Sequence, residues 1–398
     1  MTQHSVENDF DDELIEDFRQ SFEDHYETVI NCIATLELTP DSDASIDQLF
    51  RSLHTIKGNA RMLLLEQLAL FVHGIEESLS ALRDHKIQFT ILLGESITLC
   101  LDKTKEISET IFNNSAEDDP SVTALLNIFP QLQNCPQEEV DILCAKIIKQ
   151  ITGFDVDMTK ICGQSEIDSI LFNMEQLKQP NTSTVTGQFQ FKTEMTQEMI
   201  FYIAEDTPDA LKEHLGYMRY LALLLEAKIP HWQGRTHQIL QLAIIFNESL
   251  DDPVPIHQLE MAVYTHDMAF TFLPNALILT EEKFSEEQTV LMQTHTQMAA
   301  DFIGINDDWK VAHEIVLQHH EKNDGTGYPE GLKENEICSG AKMLSIIDAF
   351  VAMTTYRPDR AYKRSVLTAL NEIKNQAGKQ FSAELVPIFL NILVKQMK

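Results

Sequence analysis

The feature that most limits what this chain can fold into is a spacing. From Phe10, large apolar residues return at Leu14, Phe18, Phe22 and Tyr26, with aspartate and glutamate between them. An α-helix turns once in about 3.6 residues, so this spacing gathers the apolar groups on one face and leaves an acidic outer face. A second run begins near Ile46 and continues through Leu49, Phe50, Leu53, Ile56 and Lys57; others cover about 66–85, 91–112 and 138–151. Only 14 glycines occur in 398 residues, and the pattern predicts an all-α protein. Thr39-Pro40-Asp41-Ser42-Asp43 reads as a turn between the first two helices, and Asn113–Pro120 as a linker. After it the chain is least informative, with a polar stretch at 179–187 and a short alternation, Gln188 to Lys192, that could form a strand.

Charge and cysteine use exclude several functions. The formal net charge is −32, and residues 1–120 hold 25 acidic against 8 basic side chains. Nucleic-acid polymers require a cationic footprint, so none is expected as a partner. Any phosphate-bearing ligand must instead meet a local basic patch. No apolar run approaches the roughly 18 residues of a membrane span, and the start of the chain is acidic, without a cationic signal region. The six cysteines (32, 100, 135, 144, 162 and 338) show no CxxC pair, as expected for thiols in a reducing cytoplasm.

Two stretches carry chemistry. The first is Leu53-His54-Thr55-Ile56-Lys57-Gly58. On a helix, Lys57 lies one turn from His54 and places a cation beside whatever the imidazole carries, while Gly58 leaves room for a partner to approach. A helical hairpin could return Glu76 to His54. A carboxylate accepting from one ring nitrogen fixes the tautomer and leaves the other nitrogen nucleophilic.

These residues resemble the histidine phosphotransfer (HPt) domain of chemotaxis-type histidine kinases, a helical bundle with the motif His-x-x-Lys-Gly and a supporting glutamate 22 residues after the histidine. The resemblance spans about 10–112. It implies that His54 is phosphorylated, with Lys57, Gly58 and Glu76 in support. No ATP-binding kinase domain is evident, so the phosphate would come from the receiver domain of a response regulator or hybrid kinase. Leu64 departs from the family, which places a small residue there; a change in local helix packing is expected.

The second stretch holds His266-Asp267, His295, His319-His320-Glu321 and Asp348. Imidazoles and carboxylates without thiolates suit cations of intermediate hardness, iron or manganese rather than structural zinc. A carboxylate can bridge two metals, and such a pair can clamp a phosphodiester. His319 to Pro329 (HHEKNDGTGYP) then runs from a helix end into a glycine-rich loop closed by proline.

This segment resembles the HD-GYP family, helical metal-dependent phosphodiesterases acting on the bacterial messenger cyclic di-GMP, whose HHExxDGxGYP signature is complete here. The resemblance covers roughly 200–395. It implies that His266, Asp267 and Asp348 serve one metal, with Asp267 bridging, and that His295, His319 and His320 serve the other. Asp267 and His295 become the catalytic candidates. Tyr328 would shape the ligand pocket, and Arg357 and Arg360 would contact substrate phosphates. Those two arginines lie in a segment with four cations in eight residues (357–364), the local patch that the global charge requires.

Two positions depart from this family. The histidine that opens its metal set is replaced by Arg235 in Gly234-Arg235-Thr236-His237; either His237 substitutes, or the first metal has one ligand fewer. The lysine of the family's HDxGK pattern is Phe270. The expected organisation is an HPt domain at 1–115, a helical connector at 116–195 and an HD-GYP domain at 196–398. The expected function is a cytoplasmic cyclic di-GMP phosphodiesterase giving pGpG or GMP, with two divalent metals, iron or manganese, and phosphorelay control through His54. The alternatives are a degenerate receptor that binds cyclic di-GMP or partner proteins without hydrolysis, and a phosphorelay scaffold.

Overall fold

The computed structural model describes residues 12–113, 120–154, 207–229, 232–280, 284–305, 307–355 and 365–397. Among them there are helices and isolated bridges but no strand, so the fold is all-α. The alternation at 188–192 and most of the 113–120 linker lie outside the described residues. The chain divides into two compact units, described in turn.

In the first unit, α1 (Asp12–Leu38), α2 (Asp43–Met62), α3 (Glu66–Ser78) and α5 (Ile91–Phe112) form a bundle, with a short α4 (Ser80–Arg83) after α3. α1 packs on α2, α2 on α3, and α5 closes against α1 and α3. Phe18, Phe22 and Tyr26 are buried as their spacing requires, but Leu14 is half exposed and Ile15 is buried in its place. A strict four-residue repeat drifts about 40° per step around a helix, so the buried stripe must shift by one position. Ser42 caps α2 and Thr90 caps α5, each accepting a backbone N–H of the first turn.

The departure at Leu64 concerns backbone handedness. Leu64 follows the end of α2 with φ 58°, and Leu65 N–H reaches back to Ala60 O at 2.9 Å. That is the left-handed cap where glycine is unstrained and leucine is not. Its side chain is exposed and packs in no core.

The expected connector begins with structure of its own. α6 (Pro120–Gln133) and α7 (Gln137–Thr152) belong to the first unit, α6 on α3 and α7 on α5. Gly74 is the reason α6 fits: a Cβ there would sit 2.4 Å from Phe129 Cδ2, so only glycine lets that ring approach α3. Phe129 then meets Phe71 with ring centroids 5.6 Å apart. Residues 155–195 of the connector lie outside the described residues.

The second unit contains α8 (Asp209–Lys228), α9 (Arg235–Asn247), α10 (Ile256–Thr265), the short α11 (Asn275–Ile278), α12 (Glu286–Gln293), α13 (His295–Ile303), α14 (Lys310–Gln318), α15 (Ser339–Thr354) and most of α16 (Val366–Asn375) and α17 (Leu385–Met397). α10 sits centrally, packed on α8, α9 and α14, while α15 packs on α9 and α14. Gly340 permits the close approach of α15 to α14, since a Cβ there would meet Ile315 Cδ1 at 2.4 Å. Phe246, Phe350 and Phe389 join in a ring-against-ring core. No helix among the described residues is long and apolar enough to cross a membrane.

Candidate functional site

In the first unit, α2 presents His54 and α3 presents Glu76. His54 is two-thirds exposed, whereas the Glu76 side chain is buried. His54 Nδ1–H donates to Glu76 Oε1 at 2.8 Å, and the Lys57 ammonium donates to the other carboxylate oxygen. Burial alone would raise the Glu76 pKa, but Lys57 and His54 overcome it and hold the group below its ordinary range. With its proton on Nδ1, His54 offers the Nε2 lone pair to solvent. A Cβ on Gly58 would meet nothing within 4 Å, so the approach beside the imidazole is open.

In the second unit, the residues gathered are separated by as many as 82 positions (266 to 348). His266 and Asp267 end α10, His295 opens α13, His319 and His320 follow α14, and Asp348 lies within α15. His295, His319 and His320 bring one ring nitrogen each to within 4.8 Å of the others, and His266, Asp267 and Asp348 likewise bring together one potential ligand atom each. Asp267 stands between the groups, with Oδ2 3.2 Å from His266 Nε2 and Oδ1 3.9 Å from His295 Nε2.

Tautomers follow from the backbone. Nδ1–H of His266, His295 and His319 donates to the carbonyl three residues earlier, at 2.8, 2.7 and 2.7 Å. The Nε2 atoms of His295 and His319 are buried without hydrogen-bond partners, whereas that of His266 faces the Asp267 carboxylate. Burial pushes His295, His319 and His320 below the ordinary histidine pKa, His320 down to about 4, with neighbouring imidazoles adding to the effect. Neutral, buried rings with converging lone pairs are the donor set a divalent metal requires, and the three-histidine group fits one.

The other group already holds a cation. Arg235 Nη2 donates to Asp267 Oδ2 at 3.1 Å and to Asp348 Oδ1, and all three side chains are nearly buried. Burial opposes the ionised forms, but the mutual attraction keeps both carboxylates below their ordinary range and Arg235 charged. The same carboxylates hold His266 up to about 10 against its burial. Expected to hold the first metal, this group is filled by arginine. His237 does not substitute for the missing ligand: two residues along α9, it faces outward and is exposed.

The GYP loop is built around Glu321. Its carboxylate accepts the backbone N–H groups of Glu330, Gly331 and Leu332 at 2.7–3.1 Å. Gly327 is obligatory, since a Cβ would lie 2.3 Å from Lys322 N. The loop lays the Tyr328 ring on His320, centroids 5.0 Å apart and nearly parallel. Phe270 is buried, 5.0 Å from the His295 ring and 5.2 Å from Trp232. Arg357 and Arg360 lie outside the described residues.

Sequence reasoning missed two contributors and the role of a third. Glu226 is buried and accepts backbone N–H groups of Gly234 and Thr236, anchoring the start of α9. Trp232 lies under the Arg235 guanidinium, 5.0 Å from ring to carbon. Glu321 was visible in the signature, but its clamp on a loop nine to eleven residues ahead has no local signal.

These two sites, one exposed imidazole on a helical bundle and one buried histidine–aspartate centre, lie in separate units of one all-helical chain. Residues 13–107 match the Hpt domain family, and residues 219–385 match the HD domain family. The chain is a fusion of an Hpt domain with an HD domain of the kind marked by the HD-GYP signature. It is similar to a cyclic di-GMP phosphodiesterase of Thermotoga maritima, 31% identical over 139 residues, or 34% of this chain and 38% of that protein. The cyclic di-GMP phosphodiesterase response regulator RpfG of Xanthomonas campestris is 30% identical over 136 residues, 33% of this chain and 35% of that one. A 3'3'-cGAMP-specific phosphodiesterase of Vibrio cholerae is 24% identical over 201 residues, 50% of this chain and 35% of that one. The chain spans little more than a third of the length of these relatives.

Proposed function

We propose that this protein is a metal-dependent phosphodiesterase that opens cyclic di-GMP to pGpG or GMP, and that phosphorylation of His54 regulates it. The observation that carries the reading is the three-histidine group joined to the aspartate pair through Asp267. His295, His319 and His320 hold the divalent cation, iron or manganese by the absence of thiolates. When bound, that cation supplies a Lewis acid for the scissile phosphodiester and makes a water more acidic. Asp267 Oδ1 faces that group and would orient a water there by accepting its hydrogen bond. Tyr328 forms the wall against which the ligand packs, and Arg357 and Arg360 neutralise its phosphates. At the other site, Glu76 holds the His54 tautomer while Nε2 takes the phosphoryl group from a receiver aspartyl phosphate, and Lys57 lies beside the incoming charge.

The test is anaerobic incubation with cyclic di-GMP and ferrous iron or manganese, with products followed by chromatography. Linear product that disappears in Asp267→Ala is expected. Full activity in that variant would remove Asp267 from the reaction. Running 3'3'-cGAMP in parallel separates the two substrates named among the relatives. A second reading, binding of the dinucleotide without turnover, is favoured by one observation: Arg235 holds both aspartates. Stoichiometric binding with no product under any metal would select it.

A further inference from the structure

The two departures from the HD-GYP pattern, Arg235 and Phe270, are one structural unit. Gly234 adopts φ 82°, a left-handed conformation that only glycine takes without strain, and turns the chain into α9 so that Arg235 is its first residue. Glu226 ties that turn from both sides through the N–H groups of Gly234 and Thr236. The guanidinium then lies over the Trp232 ring, Trp232 rests edge-on against Phe270, and Phe270 packs on the His295 ring. Phe270 belongs in turn to a buried cluster with Leu225, Ile229, Leu273 and Leu277. Arg235 is therefore held from its backbone, its face and its charged end.

We propose that Arg235 is a permanent internal cation that replaces the first metal, so that this HD domain is a one-metal centre carried by His295, His319 and His320. The guanidinium meets both Asp267 and Asp348, the carboxylates a first metal would need. A divalent ion could enter there only by displacing a charge whose carboxylate partners among the described residues are these two. Separating a paired buried charge is costly, and two cations in that space would repel strongly. His266, whose Nε2 lies 3.2 Å from Asp267 Oδ2, pairs with that carboxylate instead and becomes a bystander to metal binding. The swap of lysine for Phe270 follows from the same design, since an aromatic floor is what supports Trp232 beneath the guanidinium.

This inference rests on the reading that the three histidines bind metal, and the test separates the two. The full chain is reconstituted anaerobically with manganese, desalted, and its metal counted by mass spectrometry, with the electron paramagnetic spectrum reporting isolated or coupled ions. Wild type is expected to retain about one ion per chain with a mononuclear signal, and Arg235→His about two with a coupled signal. His266→Ala should keep the wild-type count, and His319→Ala should lose it. About two ions in wild type, or about one in Arg235→His, would overturn the replacement while leaving the metal reading intact. No retained metal in wild type would instead remove the three-histidine site itself.

Arg235→Gln supplies a readout independent of activity. It is expected to melt below wild type in EDTA and to recover when manganese is added, because the aspartate pair then needs a cation. A variant that melts like wild type in EDTA would show that the guanidinium is not the cation this pair depends on.

Discussion

His54 and two histidines of the second unit, His295 and His319, use the same device for opposite ends. In each, Nδ1–H is donated to an oxygen, which fixes the tautomer and frees Nε2. Behind His54 the oxygen is a carboxylate and the ring is two-thirds exposed. Behind His295 and His319 it is a neutral carbonyl and the rings are buried. A charged acceptor stabilises the positive ring of a phosphoimidazole, and exposure lets a partner reach it. A neutral acceptor and burial keep the ring uncharged, with its lone pair open to a ligand. Exposure and the charge of the backing group separate a nucleophile from a ligand.

The largest effects should be all-or-none and should cross over between the sites. His54→Gln is expected to abolish phosphate uptake from a phosphorylated receiver while leaving metal content untouched. His319→Ala is expected to do the reverse, with hydrolysis falling on the order of 100-fold or more. Radiolabelled phosphotransfer and product chromatography read the two, and any variant that damages both would collapse the comparison.

Altering the backing group comes next. Glu76→Ala leaves Lys57 buried without its carboxylate, and should destabilise the first unit by about 2–3 kcal/mol at pH 7. The folded pKa of Glu76 lies below its unfolded value, so its stabilisation is present above the ordinary carboxylate range and is lost as pH falls through the folded value. The melting gap between wild type and variant should therefore narrow below about pH 4. A gap that persists unchanged at lower pH would assign the effect to packing.

Gly74→Ala sharpens the boundary of the first unit. The added Cβ collides with Phe129, and overpacking of this kind costs about 1–3 kcal/mol. Differential scanning calorimetry should show the loss in one transition, since α6 and α7 belong to the same unit as α3. The smallest effect is a gain: Leu64→Gly relieves a left-handed leucine and should stabilise by about 1 kcal/mol. A lower melting temperature in that variant would mean that the exposed leucine makes contacts its position does not suggest.

Much of this was legible before any coordinates. The helical pattern at about 91–112 matches α5, because its apolar spacing is a local signal. The helical pattern over about 66–85 is carried by two helices, α3 and α4, with a break at Leu79. The three-histidine group came from a motif and its spacings, and the structure brings those ring nitrogens together. Arg235 was read as a gap in a ligand set, since a string of letters records a missing histidine and not where the replacing side chain points. Leu64 was read as a packing change because φ has no symbol in a sequence.

Helix content, acidic balance, the His54–Lys57–Gly58 string and the metal-type spacings were set by the sequence alone, since each depends on residues within a few turns or on composition. Tertiary structure decided the rest: that Glu226 and Trp232 hold Arg235, that Arg235 reaches Asp267 and Asp348, and that Phe129 needs Gly74. Those are contacts between residues up to 113 positions apart. Their energies come from burial and from charges brought together, which no local pattern encodes.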